Sequence, residues 1–412
     1  MACNGNGLCF SWDANDAMCP SYKATKDRAQ SPKGRAALLR AWGRLAESDD
    51  GGEFAQIEED LAASLSTCLS CKACTSQCPV RVDVPTMGSR FWTRYYKRHR
   101  RPFSHHAMRL MEVALRAGRA MPSIANRVGG SLTLRQIVAR FLQLEDLPTF
   151  SPADQRLRLP LADAGELSKL DASARAKTLV LVEDGFTASF DAAVPFAAAA
   201  VLTRLGYKVY RVPARSNGKM LHLLGLNNAF VKLASARASE MAALAQTGVR
   251  LVGLDAATAL MFEQEYRAVA AQSPRLMLLD EILAQDIEAG HLGAARERSS
   301  ADPLRVLGHC TEQALRPDAL RQWEAIFAHF GIPAAVEQTG CCGMAGMFGH
   351  RTNNRAMSHR LFDMSWRQVV ERSPEQTVAT GFSCRCQIHR MMHTRAPHPA
   401  EALLAHLSTI TA

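Results

Sequence analysis

Cys68-Leu69-Ser70-Cys71-Lys72-Ala73-Cys74-Thr75-Ser76-Gln77-Cys78-Pro79 places four thiols at the spacing C-x2-C-x2-C-x3-C-P. In such a run the first three cysteines ligate one [4Fe-4S] cluster and the fourth, ahead of proline, ligates another. Two-residue spacings let a tight loop wrap three thiolates around a single cubane. The loop cannot complete its own cluster, and Cys19-Pro20 is the only other Cys-Pro in the chain. The spacing therefore assigns Cys19, Cys68, Cys71 and Cys74 to one [4Fe-4S] cluster.

Cys78 would find its partners in Cys3-Asn4-Gly5-Asn6-Gly7-Leu8-Cys9, where the i, i+3, i+6 spacing is kept but Asn6 stands at the middle ligand position. A neutral amide is a poor iron ligand beside thiolates. Cys9 and Cys19 are also farther apart than a compact loop needs. Three readings stay open for Cys3, Cys9 and Cys78: a three-thiolate cluster with an open or oxygen-ligated iron, a degenerate empty site, or another metal.

At 412 residues the chain is long enough for two or three domains with their own cores. Its twelve cysteines are clustered at metal-type spacings, and no charged-then-apolar leader follows Met1. A reducing, cytoplasmic setting is expected. The longest apolar run, around Val194 to Leu202, falls far short of the roughly 20 residues that span a bilayer. The net charge is +10, with a dense block at Arg90, Tyr95, Tyr96, Lys97, Arg98, His99, Arg100 and Arg101. Mixed basic and aromatic residues can contact nucleic acid or an anionic surface. The same spacing fits an amphipathic helix with its aromatic side inward, and that reading is preferred, with no nucleic-acid partner.

Helices should bracket both cysteine loops. Ser31-Pro32 reads as an N-cap with proline at N1, opening a helix through Ala36, Leu39 and Trp42. Asp49-Asp50-Gly51-Gly52 should break it, and a second helix with Ile57, Leu61 and Leu65 on one stripe should deliver Cys68. Helices continue from about 102 to 145, and Leu147 to Asp163 reads as a linker. After Ala176 the pattern becomes strands alternating with helices: Thr178 to Val182, Tyr207 to Val212, Leu251 to Leu254, then Leu304 to Leu307, Ala334 to Val336 and Thr377 to Thr380. Short apolar strands in that alternation predict parallel α/β sheets.

The second set of strands repeats the first. Gly206 matches Gly331 at an offset of 125, and that offset carries Ser216-Asn217-Gly218 onto Cys341-Cys342-Gly343. Asp184-Gly185-Phe186 falls near Gly308-His309-Cys310, and Asp255-Ala256-Ala257 near Ser383-Cys384-Arg385-Cys386. An internal duplication is expected in which only the second copy keeps thiols. Cys310, Cys341, Cys342, Cys384 and Cys386 then lie just after predicted strands, at the carboxyl edge where α/β proteins build sites. Neighbouring thiols do not both reach an ordinary cubane without strain, so this constellation suggests an unusual cluster, a zinc site or a redox pair. His309 and His350 are nearby candidate ligands or acid–base groups. The alternative is buried, reduced cysteines packing as small apolar side chains.

Cys310, Cys341-Cys342-Gly343 and the closing pair resemble the Cys-Cys-Gly domain of heterodisulfide reductase and of the iron–sulfur subunits of glycolate oxidase and anaerobic glycerol-3-phosphate dehydrogenase. Met18-Cys-Pro-Ser21, Ser31-Pro-Lys-Gly-Arg-Ala36, Ser76-Gln-Cys-Pro-Val80, Val82-Asp-Val-Pro85 and Gly340-Cys-Cys-Gly-Met-Ala-Gly346 resemble more narrowly the C-terminal iron–sulfur region of fused FAD and [4Fe-4S] D-2-hydroxyacid dehydrogenases, of the D-lactate and D-2-hydroxyglutarate type. The resemblance implies an α plus α/β architecture: a helical ferredoxin-type domain (1–110), a helical connector and linker (111–175), a degenerate α/β repeat (176–300) and an α/β Cys-Cys-Gly domain (301–412). Two departures stand out. One residue separates Cys384 from Cys386, where the heterodisulfide reductase motif has two, and the first copy has no Cys-Cys-Gly.

No G-x-G-x-x-G follows a strand and no P-loop is present. Cys3 lies two residues after Met1, where a ligand needs fixed backbone, so a preceding segment is expected. The chain therefore reads as an electron-transfer module without a complete active site of its own. The resemblance implies FAD on a partner or missing domain and a quinone, cytochrome or other carrier downstream, with peripheral membrane association compatible. A second iron–sulfur cluster or zinc is the expectation for the Cys-Cys-Gly site. The competing readings are a thiol or heterodisulfide reductase using Cys341, Cys342, Cys384 and Cys386, and a metal-stabilised structural protein.

Overall fold

Ser31 opens the first long helix, Pro32–Leu45, by accepting a hydrogen bond from Gly34 N–H at 3.0 Å, with Pro32 at N1 where its missing donor costs nothing. The computed structural model describes residues 3–46, 51–293, 295–297 and 299–410. Ala36, Leu39 and Trp42 are buried against Leu61 and Leu65 of the helix Gly51–Ser66, as their spacing predicts. Asp49 and Asp50 of the expected break lie outside the described residues, and Gly51 and Gly52 start the second helix.

The basic block falls in and just after the helix Val84–Arg98, capped by Asp83 through Thr86 N–H at 3.2 Å. Phe91 is buried edge-on to Trp42, with ring centroids 5.2 Å apart, while Arg90, Arg94 and Lys97 face outward. Arg98 and His99 both pair with Glu58, which also accepts from the Trp42 indole at 2.9 Å. This is the amphipathic arrangement, aromatic side inward. Helices Phe103–Ala120, Pro122–Gly129 and Leu132–Ile137 follow. The stretch from 147 to 163 then runs beside the first sheet: Arg211 N–H donates to Pro160 O at 2.9 Å and Ala162 N–H to Arg211 O at 3.0 Å.

Two parallel sheets form the rest. Strands β1 (Thr178–Val182), β2 (Lys208–Val212), β3 (Arg250–Gly253) and β4 (Met277–Leu278) lie in the order β2-β1-β3-β4. Strands β5 (Leu304–Leu307), β6 (Ala334–Glu337) and β7 (Thr377–Ala379) lie in the order β6-β5-β7. In each sheet the first strand is central, with the second on one side and the third on the other, all parallel. β1 is buried at every position, which is why its sequence shows no alternation. The two-residue β4 carries too few residues for a periodic signal.

Gly206 and Gly331 have φ of 85° and 75°, and Gly218 and Gly343 have 69° and 88°. These pairs, found at one offset in the sequence, thus occupy matching left-handed turns that side chains with a Cβ avoid. One apolar core runs across both sheets, joining Leu179, Leu181 and Leu202 to Val306, Trp323 and Leu403. Helix Ala193–Arg204 packs on Pro399–Ile410 and Leu279–Glu288 on Ala319–His329, so each α/β unit covers the other. Each such large buried side chain contributes about 1.5–3 kcal/mol. Among the described residues no helix is long and apolar enough to cross a membrane.

Candidate iron–sulfur centre and cysteine site

The helix Gly51–Ser66 ends just before Cys68, whose N–H donates to Leu65 O at 3.1 Å. Ser70 and Lys72 then take left-handed φ of 55° and 65°, unusual for residues with a Cβ. Two such turns in quick succession curl the loop on itself. Cys19 begins the helix Pro20–Thr25, also with positive φ, at 42°. Burial pushes the Cys74 thiol up to about 12, and charge on Cys68 and Cys19 adds to it. Cys71 is raised well above a free thiol by burial, then by Cys310, Cys74 and Cys68. Burial likewise raises Cys19, against the opposing guanidinium of Arg35, with Cys68 adding to the rise. The fold therefore gathers Cys19, Cys68, Cys71 and Cys74 within mutual electrostatic reach. Buried thiols that resist ionisation alone are suited to a cationic iron cluster, which supplies the missing counter-charge. The donor set fits such a group.

Two cations at this site escaped the sequence reading. Arg35 is buried and its Nη1 points at Cys19 Sγ from 3.8 Å, while its Nη2 donates to Ser21 Oγ at 2.9 Å, Ser64 O at 2.9 Å and Thr67 Oγ1 at 3.0 Å. Its signal was an arginine on the apolar stripe of Ala36, Leu39 and Trp42. Lys72, inside the cysteine loop, is also buried, and donates to Asp83 Oδ2 at 2.9 Å and Thr86 Oγ1 at 3.1 Å. Its Nζ lies 3.9 Å from Glu265 of the first α/β unit, a partner no local pattern could announce.

Cys3, Cys9 and Cys78 come together with Cys74 and Asn6 around one small hollow. The Asn6 amide is committed to its own turn: Oδ1 accepts from Leu8 N–H at 3.1 Å and Nδ2 donates to Asn4 Oδ1 at 2.8 Å. Burial raises the Cys9 thiol, partly offset by a backbone hydrogen bond from Lys33.

The C-terminal thiols lie after β5, β6 and β7 as expected. Cys310 starts the helix Cys310–Leu315, capped by His309, whose Nδ1 accepts from Thr311 N–H at 3.2 Å. Cys341 and Cys342 precede the left-handed Gly343, and Cys384 and Cys386 lie in the helix Phe382–Met392. Four of these thiols form a chain. Cys341 is hydrogen-bonded to Cys310 and Cys342, and Cys342 also to Cys384. Cys310 is thereby lowered to about 7, chiefly by the Cys341 hydrogen bond, and Cys342 is lowered by Cys341 and Cys384. Cys341 and Cys384 are raised, each by donating to a neighbouring sulfur. Cys386 stands apart, raised to about 12 by burial, with its Sγ 3.9 Å from His350 Nε2. His350 donates from Nδ1 to Glu145 O at 3.1 Å, and burial lowers it to about 4. Among the described residues no three His, Cys, Asp or Glu side chains converge as ligands of a single ion.

In the first α/β unit the strand ends carry carboxylates instead. Asp184 follows β1 and Asp255 follows β3, both buried, and Asp184 is raised to about 6 by burial and by Asp255.

Residues 1–82 match a family model described as a 4Fe-4S dicluster domain. Over 98% of its length the chain is 36% identical to a D-2-hydroxyglutarate dehydrogenase of Pseudomonas putida, covering 43% of that protein. Proteins of the same name from Escherichia coli K12 and Haemophilus influenzae are each 34% identical over 98% of the chain, again with 43% of their length covered. The chain thus spans less than half the length of these curated relatives. No solved structure matches it.

Proposed function

We propose that this chain, which resembles one part of the larger D-2-hydroxyglutarate dehydrogenases over nearly its whole length, is the iron–sulfur electron-transfer module of an FAD-linked D-2-hydroxyacid dehydrogenase, of the D-lactate or D-2-hydroxyglutarate type. The observation that carries the reading is the gathering of Cys19, Cys68, Cys71 and Cys74 inside a segment that matches a 4Fe-4S domain. These four would hold one [4Fe-4S] cluster, which accepts and releases single electrons. Arg35 and the surrounding apolar side chains would set its charge environment and exclude water.

Cys3, Cys9 and Cys78 would hold a second cluster with one iron not bound by thiolate, the Asn6 amide being used in its turn. Cys310, Cys341, Cys342 and Cys384 would take an unusual cluster rather than zinc, since among the described residues no three such side chains converge on one ion. Matching turns support the division into a degenerate α/β repeat (176–300) and a Cys-Cys-Gly domain (301–412), behind a ferredoxin-type domain (1–110) and a connector (111–175). The substrate pocket and FAD would belong to a partner or further domain, and the module would work in the cytoplasm or at the inner membrane face. The lowered Cys310 and Cys342 thiols favour one second reading, a thiol reductase. Serine at both Cys341 and Cys342 with disulfide-reductase activity intact would end it.

The test of the main reading is anaerobic purification with iron, sulfide and zinc counted per chain, then EPR after reduction. About four irons with a reduced-cubane signal supports one cluster, and about eight supports a second loaded site. A flavoprotein supplied with a D-2-hydroxy acid should reduce the same signal. Zinc without iron overturns the reading.

A further inference from the structure

A cavity of about 210 Å³ lies between the cysteine loop, the helices Val84–Arg98 and Phe103–Ala120, and the turn around Phe348. Leu65, Leu69, Trp92, Met108, Met220 and Phe348 give it an apolar wall. Of the four thiols assigned to the first cluster only Cys68 reaches it, so this space is not the one those sulfurs share.

Tyr96, His105 and Arg351 interrupt that wall, and they stand together. The Tyr96 and His105 rings meet edge to face at 5.4 Å, and the Arg101 guanidinium lies 4.1 Å from the centre of the Tyr96 ring. Burial lowers His105 to about 4, with Arg351 and Arg101 adding to the fall. Burial raises Tyr96, and the same two cations oppose the rise. None of the three lining groups has found an acceptor. His105 is 8% exposed and its Nδ1 has no hydrogen-bond partner. Among the described residues the Tyr96 hydroxyl and the Arg351 guanidinium have no hydrogen bond or ion pair, and no carboxylate is among the groups that shift Arg351 or His105. The buried Lys72 and Arg385, by contrast, are each held by a carboxylate, Asp83 and Asp191. A cation partly withdrawn from water without a counter-charge is costly, and a ligand that brings the negative charge removes that cost.

The chemistry of the lining narrows the ligand. An arginine fork receives a carboxylate through two parallel hydrogen bonds, and an imidazole and a phenol offer further donors to the same oxygens. The rest of the lining is hydrocarbon, aromatic ring and thioether. A bare inorganic oxoanion would leave that part of the space unfilled, and a dicarboxylate would bring a second charge against it. Apolar walls with a few convergent polar groups are the usual make-up of a small-molecule site. We infer that this cavity binds a small monocarboxylate, its carboxylate on Arg351, His105 and Tyr96 and its short hydrocarbon body against Trp92, Met108 and Met220. No group or electron passes to the ligand. Leu69 and Ser70 form part of the wall, so the bound anion lies beside the cysteine loop. The inference goes beyond the electron-transfer reading and does not rest on it.

The test is isothermal titration of the full chain, purified anaerobically, with butyrate, acetate, succinate and sulfate, alongside thermal melts at rising butyrate. Butyrate should bind at least tenfold more tightly than the other three, and the melting temperature should rise with its concentration. Arg351→Gln should weaken butyrate binding at least tenfold and abolish the thermal shift. Arg351→Lys, which keeps the charge without the fork, should retain part of both. Arg355→Gln is the control: that arginine pairs with Glu145, and its loss should leave butyrate binding as in the natural chain. Should Arg351→Gln not fold by circular dichroism, Tyr96→Phe, which removes one hydroxyl, decides, with a severalfold loss of butyrate binding expected. No butyrate binding by the natural chain, succinate or sulfate bound as tightly as butyrate, or unchanged butyrate binding in a folded Arg351→Gln protein would overturn the inference.

Discussion

Cys71 of the N-terminal loop lies near Cys310, which follows the carboxyl end of β5, close enough that charge on Cys310 pushes the buried Cys71 thiol upward. Both belong to one buried cluster that also contains Cys19, Cys74 and Cys341, and the short helix Ala73–Ser76 packs against Cys310–Leu315. Two thiol groups far apart in the chain are therefore neighbours, and electrons held at one should be felt at the other.

Replacing Cys310 with serine removes a buried sulfur whose charge is felt at Cys71. With less negative charge beside it, the cluster at the Cys68 loop should become easier to reduce. An EPR-monitored redox titration should show its midpoint moving upward with iron at that loop retained. An unmoved midpoint would show that the two groups are electrically independent.

Cys74→Ser should cost about four irons per chain, because one lost thiolate undoes a cubane. The same change at Cys386, which faces His350 rather than the thiol chain, should leave the iron count as it was. Colorimetric iron analysis on matched preparations distinguishes the two.

Arg35→Leu leaves Ser64 O and the Ser21 and Thr67 hydroxyls without their buried donor. A loss of about 3 kcal/mol in urea unfolding is expected. The cation facing Cys19 also goes, so the cluster midpoint should fall, the opposite sign to Cys310→Ser. Arg35→Lys should restore the midpoint more than the stability, since it keeps the charge but not the fork.

A Cβ at Gly343 would lie 2.2 Å from Ser358 O, on a residue with φ of 88°. Backbone must move to admit it, so Gly343→Ala should cost well over the roughly 1–2 kcal/mol of left-handed strain alone and displace Cys342. Gly346, at φ 60° with nothing near its Cβ position, should pay the strain and no more. Thermal melts of the two variants provide the comparison.

Asp184 is raised to about 6 by burial and Asp255. Its folded form holds the proton more tightly than the unfolded chain, so that contribution is full below about pH 4 and is lost as pH rises through about 6. Asp184→Asn cannot lose a proton and can still cap Thr187. The variant should match the natural chain near pH 4 and exceed it by about 2–3 kcal/mol at pH 7 to 8. Equal stability at every pH would refute the buried carboxyl pair.

Strand β1 was legible to the residue because a fully buried parallel strand is a continuous apolar run, and Ser31-Pro32 announced its helix through local capping alone. The expectation that Cys19 joins Cys68, Cys71 and Cys74 came from fixed ligand spacings, and the structure puts Cys19, Cys71 and Cys74 in one buried cluster with Cys68 packed against it. Cys386 was not: adjacency to Cys384 suggested a pair, yet a helix turns residues two apart onto different faces, and Cys386 meets His350 instead.

The sequence by itself determined the segment-level chemistry: a cysteine loop between helices, two sets of parallel strands, and thiols after the strands of only the second set. Those features are local, written in spacing, caps and apolar runs. Tertiary structure alone decided that Cys71 would stand beside Cys310, that Lys72 would approach Glu265, and that both sheets would turn their carboxyl ends toward one apolar cavity. Those contacts come from packing two α/β units on a shared core and folding the cysteine loop onto them, and packing between distant segments leaves no periodic trace in either one.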